Sequence, residues 1–192
     1  WVFSIVVGLI SLILILQPNV GTLGIIVLTA ILMYFSAKTP IWQSILMVLV
    51  SFGGLAVLMK FSAYRFNRLL AFLNPAADPQ GIGYQINQSV ITVGSGGILG
   101  QGLGLSQEKF GLLPQPISDS IFAIFAKETG FSGAIFLIFF FLFFLWLGFK
   151  VAKIAKNQFS QLLAMGITSW IVLQAFINIG AMIGILPLTG IP

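Results

Sequence analysis

Five stretches of this chain, residues 1–16, 20–35, 41–59, 131–149 and 159–186, are apolar runs that contain no Lys, Arg, Asp or Glu. A bilayer-crossing segment needs about twenty predominantly apolar residues. It must also satisfy its own main chain, which leaves the helix as the usual solution. A water-soluble bundle of the same helices would need a polar coat. Only 7% of the residues are charged, against roughly a quarter in soluble domains. With 58% hydrophobic residues and a mean hydropathy of +1.09, the chain reads as an all-α integral membrane protein, a multi-spanning helical bundle. It opens on Trp1 inside an apolar run, without a Met or a basic leader, and reads as a piece of a longer protein.

The breaks between the runs are short. Gln17-Pro18-Asn19 separates the first two, and Ser36-Ala37-Lys38-Thr39-Pro40 the next two. Lys150, Lys153 and Lys156 lie between the last two. A Gly53-Gly54 pair in the third run allows close helix contact. The exception is the segment from Lys60 to Gly130, which holds all four acidic residues and five of the nine basic ones. If the five runs alternate across a membrane, Lys38 and the Lys150/Lys153/Lys156 group share one side. The positive-inside rule makes that side cytoplasmic. The long segment then faces outward, where loops beyond about sixty residues escape the rule. Its positive charges call for another reason, and an anionic ligand supplies one.

Histidine and cysteine are both absent. That excludes thiol catalysis, His-based triads and Cys/His zinc sites. For side-chain general acid–base chemistry near neutral pH, Asp78, Glu108, Asp119 and Glu128 are the leading candidates.

Within the long segment, 61–73 reads as an interfacial amphipathic helix. Arg65 and Arg68 lie on one side, with Phe61, Phe66, Leu69, Leu70 and Phe72 able to lie against lipid. Anchoring and phosphate binding are both open to these arginines. Asn74–Pro79 is a turn cluster. Gly81–Val93 is mildly amphipathic, with Gln85, Gln88 and Ser89 as a polar stripe, read as a solvated face or a binding one. The glycine-rich run Gly94–Gly104 fits neither a dinucleotide-binding fingerprint nor a Walker loop. Its glycines can turn amides toward an anion or let backbones pack closely. Ser120–Glu128 reads as a short helix ended by Gly130. Asp119 stands at its start, as an N-cap or as a carboxylate kept ionised by the helix dipole.

In order, the segments RLLAFLNPAADPQGIGYQINQS, VGSGGILGQGLGLSQEKFGLLPQPISDSIFAIFAKETGF and QAFINIGAMIGILPLTGIP, with the upstream QPNVGT turn, resemble the SEDS family (shape, elongation, division and sporulation). These are the bacterial FtsW/RodA-type proteins, and the string is nearer the FtsW cell-division branch. The resemblance implies a peptidoglycan glycosyltransferase that polymerises glycan strands from lipid II. It would sit in the bacterial cytoplasmic membrane beside a class B penicillin-binding protein and other division-complex membrane proteins. No nucleic acid and no resident cofactor are expected, and a divalent cation stays open. The family's essential aspartate maps onto Asp119, the Lys of its Ser-x-x-Lys stretch onto Lys109, and its arginine before the Asn-Pro turn onto Arg68, with Arg65 nearby. Gln88, Ser89, Gly96, Gly97 and Glu128 complete the candidate substrate-binding set.

The expected chemistry suits those residue types. A carboxylate takes the proton of an acceptor sugar hydroxyl as it attacks an anomeric carbon, and Lys or Arg stabilises the departing lipid pyrophosphate. Two positions depart from the family pattern. Asn19 replaces the usual Asp of the upstream turn, and Lys127 stands where a Glu is common beside Glu128. A flippase for the lipid-linked precursor is the alternative from the transporter class, and it calls for ionisable residues within the spans. The five runs contain none. A non-catalytic scaffold for the penicillin-binding protein is the third reading.

Overall fold

The computed structural model describes residues 2–17, 19–37, 39–60, 63–75, 78, 80–104 and 120–188; at positions 2, 4, 52, 55–60 and 63–65 it describes the backbone without the side chain. Among the described residues the structure is all helical, without a strand. In chain order the helices are α1 (Val2–Leu16), α2 (Val20–Ser36), α3 (Ile41–Lys60), α4 (Ala63–Leu73), α5 (Ile82–Ser95), α6 (Ile121–Ile154) and α7 (Gln158–Met182). Two of them, α6 with 34 residues and α7 with 25, are long and apolar enough to cross a membrane.

Helix boundaries follow local chemistry. Asn19 caps α2, its Oδ1 accepting the Thr22 N–H at 3.2 Å, which satisfies one of the orphan amides of the first turn. Asn19 thus supplies a capping oxygen, as an Asp at the same position would. At the far end of α2, Ala37 N–H donates to Met33 O at 3.0 Å, and Thr39 Oγ1 donates to Tyr34 O at 2.9 Å. Helix α7 stops at Met182, short of the end of the apolar run, because Gly184 takes φ 74°. The Ile185 and Leu186 amides then close back on Gly180 O at 2.8 and 3.0 Å, satisfying a terminal carbonyl.

The helices form two compact units. The first comprises residues 1–61 and 142–174. Here α6 and α7 approach closely at Gly148, where an added Cβ would collide with the Thr168 side chain, 2.8 Å from its Cβ. At Gly166 the same atom would lie 2.7 Å from Met33 Sδ of α2. Small residues at such crossings let apolar helices pack backbone to backbone. A cavity of about 630 Å³ lies among α1, α2 and α3. On its wall Tyr34 Oη donates to Gln43 Oε1 at 2.6 Å.

The second unit comprises residues 62–141 and 175–192. Its core gathers Ile86 of α5, Phe122, Ala123, Ala126 and Ala134 of α6, Ile179, Ala181 and Met182 of α7, and Leu188 beyond α7. Phe72 of α4 packs against this cluster. Every candidate site residue that the structure describes belongs to this unit.

Candidate functional site

Asp119, Lys109 and Glu108 lie outside the described residues, and Arg65 is described by its helical backbone alone. Of the remaining carboxylates, Asp78 is engaged at a helix start: its Oδ2 accepts the Ile82 N–H at 2.8 Å, at the first turn of α5. The turn before α5 is packed tightly, since a Cβ at Gly83 would meet Pro75 O and come 2.5 Å from Asp78 O. Glu128 is buried, at 8% exposure. It stands on the last turn of α6 before the helix breaks. Among the described residues, no group of three or more acidic side chains is gathered around a point that could hold a metal ion.

The described side chains of α4 divide between an exposed and a buried side. Phe66, Leu70 and Leu73 are exposed, whereas Ala71 is buried and Phe72 packs on the core. Arg68 shares the inward side, and its Nη1 donates to Leu188 O at 3.1 Å. The arginine thus ties α4 to the segment that follows α7. Helix α5 also divides the polar stripe read from its sequence. Ser89 is buried and donates to Gln85 O at 2.9 Å, while Gln88 is half-buried. The buried line of α5 is Gly83, Ile86, Ser89 and Thr92, so Ser89 belongs to a packing face rather than a solvated one.

The glycine run does something its sequence left open. Gly130 interrupts α6 with φ 71° and ψ −169°, a region essentially reserved for glycine. In an unbroken helix Phe131 N–H would bond Lys127 O, and Ser132 N–H would bond Glu128 O. Here the run supplies partners on both sides of the break. Phe131 N–H donates to Gly97 O at 2.9 Å and Ser132 N–H to Ile98 O at 3.1 Å; in return Gln101 N–H donates to Lys127 O at 3.0 Å and Gly102 N–H to Glu128 O at 3.1 Å.

This exchange needs close backbone contact. A Cβ at Gly100 would meet Glu128 O and lie 2.6 Å from Thr129 C; one at Gly130 would meet Gly100 N and lie 2.6 Å from Ile98 O. At Gly96 it would meet Ala126 O and lie 2.9 Å from Lys127 Cα. Gly97, Gly100 and Gly102 all have positive φ. Neither Gly100 nor Gly130 stood among the sequence-derived site residues. The signal available was the lone glycine ending a helix downstream of a glycine-rich run, two features that local reading treats separately.

A family model described as cell cycle protein, covering FtsW, RodA and SpoVE, matches residues 1–192. The chain belongs to this family. It is 41% identical to stage V sporulation protein E of Bacillus subtilis over 180 residues, covering 94% of this chain and 49% of that protein. It is 41% identical over 192 residues to a protein of Halothiobacillus neapolitanus named probable peptidoglycan glycosyltransferase FtsW, covering 98% of this chain and 46% of the relative. A Coxiella burnetii protein of the same name is 37% identical over 190 residues, covering 97% and 51%. The chain thus spans about half the length of the curated relatives it matches. A solved structure from work on the structural coordination of polymerization and crosslinking by a peptidoglycan synthase complex superposes with a TM-score of 0.76 at 23% identity, covering 98% of this chain and 52% of that one. That likeness extends the family's fold to this chain.

Proposed function

We propose that the full protein carrying this chain is a peptidoglycan glycosyltransferase that polymerises lipid II. The observation carrying this reading is the match of the whole chain to relatives named probable peptidoglycan glycosyltransferase FtsW. In this reading the five apolar runs cross the bacterial cytoplasmic membrane, and residues 60–130 face outward. The partner is a class B penicillin-binding protein, beside other membrane proteins of the division complex.

Asp119 takes the proton of the acceptor sugar hydroxyl, whose oxygen attacks the anomeric carbon of the lipid-linked glycan. The lipid pyrophosphate leaves, its charge balanced by Lys109 and Arg65. Arg68 enters with one N–H already donated to Leu188 O, so its guanidinium is held in place before any phosphate arrives. Gln88 and Glu128 border the same unit, Glu128 from a buried position. A divalent cation would act on the pyrophosphate of the substrate, and chelation in the same assay tests for it.

The deciding experiment reconstitutes the full-length protein with its partner and purified lipid II, and compares wild type with Asp119→Asn. Loss of polymer with folding and partner binding retained is the expected result. Equal polymerisation by both proteins would remove Asp119 from the chemistry.

A further inference from the structure

A glycine-rich run in a chain proposed to handle a lipid pyrophosphate invites an anion-binding reading, in which main-chain amides converge on phosphate. The hydrogen bonds oppose it. The amides of Gly96, Gly97, Gly100, Gln101 and Gly102 all donate to main-chain carbonyls, those of Val93, Gly94, Gly96, Lys127 and Glu128 respectively. An anion would have to displace them. What the run holds instead is the break in α6.

The geometry points to the segment Gly96–Gly102 as a main-chain clasp that fixes the angle of the short half of α6, residues 121–129, against its long half. Gly100 and Gly130 are accordingly positioning residues for glycosyl transfer; this rests on the function proposed above. Gly130 alone would leave a swivel, because glycine admits many φ/ψ pairs. Four interlocking hydrogen bonds, two received and two given across the break, select one of them.

The lever arm gives the clasp its catalytic consequence. Ser120, which precedes the short half and is buried at 2% exposure, is ten residues from Gly130, about 15 Å along a helix. A change of about 10° at the break would move that end by roughly 2.6 Å. Asp119 immediately precedes Ser120 in the sequence. Misplacement of a reacting group by about 1 Å is enough to cost a hundredfold in rate. A loosened clasp therefore acts on turnover, whereas lipid binding through other residues is left in place.

The test uses the full-length protein with its partner and lipid II, reading kcat and KM together with amide hydrogen exchange. In wild type, the amides of Gln101, Gly102, Phe131 and Ser132 exchange slowly. Gly100→Ala, which places a Cβ against Glu128 O, speeds their exchange and lowers kcat by roughly tenfold or more. KM stays within about twofold, since uniform binding is untouched. Gln101→Pro removes the donor to Lys127 O together with the side-chain bond to Ser95 O. Compared with Gln101→Ala, which loses the side-chain bond alone, it gives the same pattern more weakly at Gly102, Phe131 and Ser132, which covers the case in which Gly100→Ala fails to fold. Gly94→Ala, at a helical site with nothing within 4 Å, changes neither readout. Fast exchange at these amides in wild type overturns the clasp, and faster exchange in the variants with unchanged kcat overturns the positioning role. Slow exchange in a wild-type protein that makes no polymer overturns the glycosyltransferase reading and the positioning role with it, while the clasp stands.

Discussion

The guanidinium of Arg68 donates to the main-chain carbonyl of Leu188 at 3.1 Å, joining α4 to the segment after α7 across 120 residues of sequence. Leu188 is itself buried in the core of this unit, at 4% exposure. Removing the donor leaves a buried carbonyl without that partner, a loss of about 1–3 kcal/mol. Arg68→Ala is expected to lower the unfolding midpoint of the full-length protein in detergent. It should also speed amide exchange at residues 183–186 and at Leu188, while exchange in α2 stays as in wild type.

Asp78 is expected to matter for folding and not for chemistry. Its carboxylate receives the Ile82 N–H at the start of α5, and losing such a cap costs about 1 kcal/mol. Asp78→Ala should lower stability by that amount, whereas Asp78→Asn, which keeps a capping oxygen, should lie near wild type. Polymerisation per folded molecule should be unchanged in both. A collapse of activity in a stable Asp78→Asn would contradict this assignment.

Gly130 offers a sharper stability test. An L side chain at φ 71° and ψ −169° carries about 1–3 kcal/mol of backbone strain, before its collision with Gly100 N. Gly130→Ala should destabilise by at least that much in thermal unfolding. Gly130→Asn should fare no better, because asparagine's tolerance of positive φ is confined to the left-handed helical basin, where ψ is near +47°.

The contact of Gly148 with Thr168 predicts coupling between α6 and α7. Gly148→Ala drives a methyl into the Thr168 side chain, and overpacking of this kind costs about 1–3 kcal/mol. Thr168→Gly in the same molecule clears the space. A double-mutant cycle on thermal stability should return an interaction of about 0.5–3 kcal/mol, with the pair more stable than the sum of the single changes implies.

The helical character was legible in uncharged runs too apolar to form anything else in lipid, and the family in the order of its motifs. Local punctuation was legible as well: Gln17-Pro18-Asn19 reads as a break between two apolar runs, and α1 ends at Leu16 and α2 begins at Val20, where the structure adds that Asn19 is the cap. The direction of side chains on short polar helices was not. Ser89 reads from sequence as part of a solvated or a binding face, whereas in the structure its hydroxyl bonds the Gln85 carbonyl one turn back and is thereby satisfied in a buried position. Arg68 and Leu188 are joined by an arginine and a main-chain oxygen, and a carbonyl has no sequence signature. The glycine run was ambiguous for the same reason. Conformational freedom says where a backbone can go, and only the tertiary partner says where it does.

The clasp at Gly130 is made entirely of main-chain atoms, while Ile98, Leu99 and Leu103 remain 74%, 83% and 78% exposed. These three side chains are therefore uncoupled from the main-chain bonds of the run. Substitution at these three positions can change what the surface offers to a neighbouring protein or lipid without altering the helix break beneath it. Such a segment is open to innovation on its outer face while its inner face stays fixed.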